Sequence, residues 1–203
     1  MRPALPSFAL AAALVAGTAS ASRAQQAAVQ QAASSPSPAA PAASPAPEVG
    51  QMAPDFTLPA AGASGPLAAP VTLSSLRGKV VVLAFYPKDR TGGCTAELTK
   101  FRDEYTSLFG ARVGKDVVVV PISADGVDSH AAWAKESNYP FALVADTALT
   151  AVTAYGSRMQ QAPLAQRTVF VIGRDGRVKY RNLKFNALSQ GAYDELKAAV
   201  AAG

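Results

Sequence analysis

Two continuous apolar runs dominate the hydrophobic pattern of this chain. Residues 79–85 (KVVVLAF) and 117–123 (VVVVPIS) consist mostly of β-branched and aromatic side chains. Such runs are typical of central strands that are covered on both faces of a sheet. Between them, apolar side chains recur at alternating steps of four and three residues, at Cys94, Leu98, Phe101, Tyr105 and Leu108. This spacing predicts a helix over residues 91–109, and the order strand, helix, strand predicts a right-handed parallel crossover.

Shorter patterns predict the rest of the domain. Residues 167–181 (RTVFVIGRDGRVKYR) form two apolar stretches joined at Asp175-Gly176, which is a strong hairpin pattern. We also expect short strands at 53–58 and 71–73, helices at 129–138 and 148–155, an extended piece at 141–144, and a last helix at 189–202. Mixed strands with helices on both faces predict a three-layer α/β sandwich around a central mixed sheet.

The N-terminal quarter has the pattern of an export signal followed by a linker. Arg2 precedes an apolar run at 8–17, and small residues then offer cleavage sites, so residues 1–24 are predicted to be a signal peptide. The run is about half of the ~20 residues that a spanning helix needs, so we expect no stable membrane insertion. Residues 25–48 are rich in Ala, Pro, Ser and Gln and predict a disordered linker. The folded domain is then 49–203, in a protein that is exported to the periplasm or secreted.

Charge and the scarcity of metal-binding side chains exclude several function classes. The net charge is +5, but the 19 basic residues are spread along the chain without a Lys/Arg block, so nucleic acid is not an expected partner. One cysteine and one histidine exclude an intramolecular disulfide, a Cys-x-x-Cys redox pair and multi-cysteine or histidine-rich metal sites. We therefore expect neither a metal nor a cofactor.

The one cysteine stands where a strand gives way to a helix. Cys94 follows Gly92-Gly93 at the carboxyl edge of the first buried strand, where open α/β sheets place ligands. Thr91 has the spacing of an N-cap, so its hydroxyl can hydrogen-bond within the first turn. Backbone N–H groups and the helix dipole stabilise an anion there, which favours a reactive thiolate. Pro87 can shield the sulfur without offering an N–H of its own.

The same residues also fit an inert interpretation. Cys94 lies on the apolar stripe of its helix, and free cysteines are among the most buried residue types. Thr91 is then only a structural cap. The residues by themselves leave both interpretations open. His130 and Trp133, which lie on the helix predicted at 129–138, are interpreted as packing or surface residues.

Motifs spread over residues 50–200 resemble the peroxiredoxin family of the AhpC/TSA type. Pro87, Thr91 and Cys94 have the spacing of that family's active-site loop, and Arg167 matches its active-site arginine, which enters a later strand. Further similar segments are APDFTL, VVLAFYPKD, YPFALVAD and FVIGRDG. The chain is most similar to the bacterioferritin-comigratory-protein, or Q-type, branch. This resemblance implies a thioredoxin-like form of the α/β sandwich.

The resemblance also implies a thiol-dependent peroxidase. Cys94 would attack hydrogen peroxide or an organic hydroperoxide and become a sulfenic acid. Arg167 would stabilise the sulfur and the leaving oxygen, and Thr91 would help to orient the peroxide. Glu97, three residues after Cys94, could support this network. A monomer or a homodimer is expected.

Two positions depart from the pattern of the branch. Many of its members carry a second, resolving cysteine five positions after the first, where this chain has Thr99. The sulfenic acid is therefore expected to be reduced by an external thiol, either a thioredoxin-like protein or a small thiol. Gly92 stands where proline is frequent, which would make the loop less rigid.

The alternative function is a non-catalytic thioredoxin-fold binding or scaffold protein with an unreactive cysteine. A thiol–disulfide oxidoreductase is disfavoured, because one cysteine cannot complete that exchange within the chain.

Overall fold

The computed structural model describes residues 45–203, so the predicted signal peptide and most of the predicted linker lie outside the described residues. The strands are β1 (Thr57–Leu58), β2 (Ala60–Gly62), β3 (Gly65–Pro66), β4 (Val71–Thr72), β5 (Val80–Phe85), β6 (Val117–Ser123), β7 (Leu143–Ala145), β8 (Thr168–Ile172) and β9 (Val178–Asn182). The helices are α1 (Gly92–Asp103), α2 (Tyr105–Phe109), α3 (Val127–Glu136), α4 (Thr150–Ala154) and α5 (Gln190–Ala202), with a 3-10 turn at Leu73–Leu76. Within 45–203, none of the helices is both long and apolar enough to cross a bilayer.

Seven of the strands form one sheet, and its mixed strand directions confirm the central mixed sheet that the sequence predicts. Their order is β3-β2-β7-β6-β5-β8-β9, while β1 and β4 pair in a separate two-stranded sheet. β5 lies parallel to β6, and β6 is parallel to β7, whereas β8 is antiparallel to β5. The pairing of β5 with β6 confirms the parallel crossover predicted through α1.

β5 is the central strand of the core, because all of its side chains are buried. Alternate side chains of a strand face opposite sides of the sheet. Val82 and Ala84 join an apolar cluster with α1 and α5, and Leu83 and Phe85 join a second cluster with α4. The sheet is therefore covered on both faces, which confirms the predicted α/β sandwich.

The helix predicted over 91–109 is divided in two. Glu104 lies between α1 and α2 with φ −105° and ψ 25°, outside helical geometry. Leu98 and Phe101 of α1 and Leu108 of α2 nevertheless belong to the same apolar cluster. The steps of four and three residues therefore indicate the buried face correctly but do not show whether the backbone is continuous.

The hairpin formed by β2 and β3 is not predicted by the sequence. Residues 60–66 (AAGASGP) are small and show no hydrophobic alternation, so they lack a strand pattern. In the structure β2 pairs with β7, and α3 packs across both β2 and β3. Ala60 and Ala61 are both buried, and Ala60 belongs to the apolar cluster on the other face of the sheet. Small side chains suit a strand that a helix covers closely, and this packing is invisible in a local pattern.

The other predicted bounds of strands and helices agree with the structure to different degrees. The strand at 117–123 is found as predicted, and the last helix begins one residue later than predicted, at Gln190. The strand predicted at 53–58 is wrong over most of its length, since only Thr57–Leu58 pairs, with β4. Ala53 and Phe56 still bury their side chains. Their alternation indicates burial and not strand pairing.

The pairing of β5 with β8 brings together two segments that are far apart in the sequence. Phe85, at the end of β5, lies opposite Thr168, at the start of β8. The loop that follows β5 therefore lies beside the residue that precedes β8, which is Arg167. This antiparallel register positions the candidate site.

Candidate active site

Cys94 lies in the first turn of α1, as its third residue. Thr91 occupies the N-cap position, and the Thr95 N–H donates to the Thr91 carbonyl oxygen at 2.8 Å. The amides that precede Thr95 have no carbonyl partner within the helix. The positive end of the helix dipole therefore lies next to the sulfur, where it favours negative charge.

Arg167 reaches the sulfur from the other side of the site. Its Nη2 donates to Cys94 Sγ at 3.2 Å. The backbone of Arg167 is fixed because its carbonyl oxygen accepts from the Phe185 N–H at 3.1 Å and because the next residue, Thr168, enters β8. The structure thus brings together two residues that are 73 positions apart, and the sulfur meets a guanidinium and a helix start at once.

Glu97 is the third member of this cluster. Its side chain is fully buried, and Arg167 Nη1 donates to its Oε2. Burial raises the pKa of the Glu97 carboxyl to about 7, although the charge of Arg167 lowers it in part. Burial would lower the pKa of Arg167, but the Glu97 carboxylate and the Cys94 sulfur raise it. The guanidinium therefore stays charged and is shared between a carboxyl and a sulfur.

One oxygen of Glu97 differs from the other. Glu97 Oε1 is buried and has no hydrogen-bond partner among residues 45–203. An unsatisfied buried acceptor costs free energy, and the cost is greater for a charged group than for a neutral one. A carboxyl that titrates near neutral pH is consistent with this environment.

Thr91 and Pro87 also lie at the site, but with different contacts from those expected. The Thr91 hydroxyl donates to the Lys88 carbonyl oxygen at 3.0 Å and does not cap a helix amide. The expected side-chain cap is therefore wrong, because the hydroxyl closes the turn of the preceding loop instead. Pro87 is half-buried and lines an open depression of about 460 Å³ together with Gln166, Arg167 and Phe185.

The Cys94 side chain itself is closed to solvent. It is fully buried in the same apolar cluster as Leu98 and Phe101, as the inert interpretation expects. Burial therefore does not separate the two interpretations. The partly buried guanidinium held against the sulfur does separate them, because a cation beside a cysteine stabilises its thiolate form. The placement of Arg167 favours the reactive interpretation.

Helix α3 contributes side chains whose roles the sequence shows only in part. Trp133 packs against the Tyr86 ring with centroids 5.9 Å apart, which agrees with its interpretation as a packing residue. His130 is fully buried, and its Nδ1 lies 3.0 Å from Asp89 Oδ2. Its Nε2 lies 3.2 Å from the Val144 carbonyl oxygen. The polar contacts of His130 could not be predicted, because Asp89 is 41 positions away and no pattern links the two.

The chemistry available to the cluster is nucleophilic. It contains a sulfur, a cation, a titratable carboxyl and a helix start beside an open depression. Within the described part of the chain, no group of three or more His, Cys, Asp or Glu side chains is placed to hold a metal ion.

Known proteins are similar to this chain in both sequence and structure. Residues 49–181 match the AhpC/TSA family. Peroxiredoxin Bcp of Bacillus subtilis is 32% identical over 145 residues, which cover 68% of this chain and 87% of that protein. The chloroplastic peroxiredoxin Q of Sedum lineare is 46% identical over 77 residues, covering 38% of this chain and 39% of that protein. The crystal structure of peroxidoxin BcpB from Mycobacterium tuberculosis is similar with a TM-score of 0.63 at 30% identity, covering 77% of this chain and 97% of that one.

These similarities agree with the geometry of the site. The range that matches the family contains Pro87, Thr91, Cys94 and Arg167. The thioredoxin-like fold expected from the resemblance is confirmed by the mixed sheet and the similar solved structure. The single cysteine fits a member without a resolving cysteine. The chain therefore belongs to the AhpC/TSA family, in its Bcp/Q-type peroxiredoxin branch, and is a thiol-dependent peroxidase.

Proposed function

We propose that Cys94 is the residue that reduces hydrogen peroxide or organic hydroperoxides, with Arg167 holding both the sulfur and the leaving oxygen. The observation that carries this proposal is the 3.2 Å contact between Arg167 Nη2 and Cys94 Sγ. A cation next to a cysteine at a helix start stabilises the thiolate, which is the nucleophilic form. Arg167, which contacts the buried sulfur, lines an open depression together with Pro87, and this depression is the route that we propose for the peroxide.

The reaction forms one bond and breaks one. The Cys94 sulfur attacks one peroxide oxygen, the O–O bond breaks, and the sulfur becomes a sulfenic acid. The second oxygen leaves with the electron pair as hydroxide or alkoxide and takes a proton from water. Because negative charge grows on that oxygen, a fixed donor beside it lowers the barrier. Arg167 is the cation in position to donate there.

Thr91 can orient the peroxide without losing its own contact. A hydroxyl has one donor and two acceptor positions. The Thr91 donor is used by the Lys88 carbonyl oxygen. Its acceptor positions can therefore take the O–H of an incoming hydroperoxide. Pro87 lines the open depression beside Arg167 and offers no N–H of its own.

An external thiol completes the cycle in this proposal. A first thiol attacks the sulfenic acid, so that a mixed disulfide forms and water leaves. A second thiol then releases Cys94 as a thiol and leaves the reductant as a disulfide. Because the chain has one cysteine, both thiols come from outside, supplied by a thioredoxin-like protein or a small thiol.

We place this activity in an exported protein that acts as a monomer or homodimer. Support comes from the sequence alone: a basic start, a short apolar run and small residues in 1–24, followed by the linker at 25–48. Cell fractionation tests this placement. Antibody detection of a shortened chain outside the cytoplasm is the expected result, and a full-length cytoplasmic chain contradicts it.

Turnover should depend on both Cys94 and an added thiol. The wild-type protein should consume about one equivalent of peroxide per chain without a thiol, since its one cysteine is then spent as a sulfenic acid. It should turn over continuously when dithiothreitol, glutathione or a thioredoxin is added. Cys94→Ser should do neither. Peroxide consumption, followed with a colorimetric peroxide assay, measures this. Failure of the wild-type protein to consume peroxide would favour the scaffold alternative.

Gly93 should be needed for the close approach of Arg167. A β-carbon on Gly93 would lie 3.0 Å from Arg167 Nη2, whereas one on Gly92 would meet no atom within 4 Å. Gly93→Ala should therefore displace the guanidinium and slow the reaction of Cys94 with peroxide by about 10- to 100-fold. Gly92→Ala is the matched control and should react at the wild-type rate. Both rates are measured by stopped flow. Equal rates for the two variants would show that the contact between Arg167 and Cys94 does not limit the reaction of Cys94 with peroxide.

Glu97 should make the stability of the fold depend on pH in a predictable direction. Its pKa is raised on folding from 4.5 to about 7, so the folded state binds more protons than the unfolded state between these values. The free energy of unfolding contributed by this group therefore falls as pH rises from about 4.5 to about 7, and is level above that.

Glu97→Gln removes this dependence. The stability of Glu97→Gln relative to wild type should increase over the same pH interval and then stay constant. Urea unfolding of both proteins across that interval measures the difference. A difference that does not change with pH would show that Glu97 does not titrate there.

A further inference from the structure

The loop between β5 and α1 is attached to α3 by buried polar contacts that the peroxidase chemistry does not use. Asp89, five residues before Cys94, has a nearly completely buried carboxylate. It accepts from the Tyr86 hydroxyl at 2.9 Å, the Ser129 hydroxyl at 2.7 Å and His130 Nδ1 at 3.0 Å. Ser129 and His130 belong to α3. Three donors thus converge on one carboxylate of the loop that carries the site.

The protonation of this cluster follows from its contacts. Burial alone would raise the pKa of Asp89, but the hydrogen bonds from His130, Ser129 and Tyr86 and the charge of His130 hold it below its ordinary value. An ionised carboxylate can only accept. His130 must then carry a proton on Nδ1, and its second nitrogen faces the Val144 carbonyl oxygen. His130 is fixed between a loop and β7, and the loop is fixed with it.

The next residue of the loop has an unfavourable backbone conformation and a second contact with α3, through an exposed ion pair. Arg90 has φ +60°, in the left-handed region that non-glycine residues seldom adopt. Such a residue persists only when its surroundings enforce it. Its guanidinium forms a two-pronged pair with Glu136 of α3, with both N–O distances 3.0 Å, and also donates to Ser129 Oγ at 3.3 Å. Adjacent residues of the loop, Asp89 and Arg90, are therefore both attached to one helix.

We propose that the Asp89–His130 hydrogen bond is a positioning device for the peroxidase reaction, because it fixes the loop that places Thr91 and the start of α1 around Cys94. The proposal rests on the proposed role of Cys94. Asp89 and His130 do not touch the sulfur, so they act through the loop backbone. The left-handed conformation of Arg90 is consistent with a loop that is held by its attachments.

The test separates positioning from simple structural support by using two reagents on the same sulfur. The reaction with hydrogen peroxide needs an accessible thiolate and donors that orient the O–O bond, whereas alkylation by iodoacetamide needs only the accessible thiolate. Asp89→Asn keeps the size of the side chain but replaces an acceptor by a donor. It should slow the reaction of Cys94 with peroxide by about 10- to 100-fold. Alkylation should be unchanged or faster, since a released loop exposes the sulfur.

Conservative variants of His130 give a rescue test that does not depend on Asp89→Asn folding well. Asn can place an N–H close to the position of Nδ1, whereas Phe keeps a ring without donors. His130→Asn should therefore recover most of the peroxide rate that His130→Phe loses. The double variant Asp89→Asn/His130→Phe should be no slower than the slower single variant, because both changes break one contact. Asp128→Asn, at an exposed position in the first turn of α3, is the matched control and should behave as wild type.

The possible outcomes are distinct. A peroxide rate that falls while alkylation does not, with rescue by His130→Asn, supports the positioning role. Wild-type rates with both reagents in folded Asp89→Asn or His130→Phe overturn it and leave the network a structural one. Parallel loss of both rates also overturns it, because the variants would then have changed the ionisation or the access of the thiol and not the positioning of the peroxide. Slow reaction of the wild-type protein with peroxide would instead contradict the proposed function itself.

Discussion

One guanidinium connects the two halves of the site. Arg167 donates to the Cys94 sulfur at 3.2 Å and to the buried Glu97 carboxyl, so a residue preceding β8 is joined to two residues of α1. A charged group enters such an apolar setting only when partners take its hydrogen bonds. The antiparallel register of β5 and β8 supplies the geometry, and Gly93 leaves room for it. Without this bridge, Cys94 would be an ordinary buried cysteine in the first turn of a helix.

The sequence predicts this site better than it predicts the contacts that support it. Periodicity places Cys94 at a helix start and on a buried stripe, because both are local properties of the chain. The resemblance to peroxiredoxins adds Arg167, which no local pattern could connect to Cys94. The hydroxyl contact of Thr91 is not predictable, since an N-cap and a loop-closing hydroxyl share the same spacing. The Asp89–His130 contact depends on how α3 packs across the sheet, which is a tertiary property.

The same distinction applies to the fold. Buried strands such as β5 and β6 are recognised because their side chains are apolar on both faces. The β2–β3 hairpin is not predicted because its small residues carry no hydrophobic alternation, although α3 packs across it. The division of the first helix at Glu104 is not predicted either, because burial on one face continues across the break. The spacing of apolar residues indicates which side of a strand or helix is covered. It does not indicate which strands pair or whether a helix is continuous.

Rapid-quench labelling of the sulfenic acid tests the central role of the guanidinium most directly. Native protein is mixed with one equivalent of hydrogen peroxide and with dimedone, and the labelled peptide containing Cys94 is followed by mass spectrometry. Arg167→Ala should form the labelled product about 10²- to 10³-fold more slowly. Arg174→Ala, an exposed residue whose guanidinium donates to the Gly78 carbonyl oxygen, should keep the native rate. Labelling of Arg167→Ala at the native rate would contradict the account.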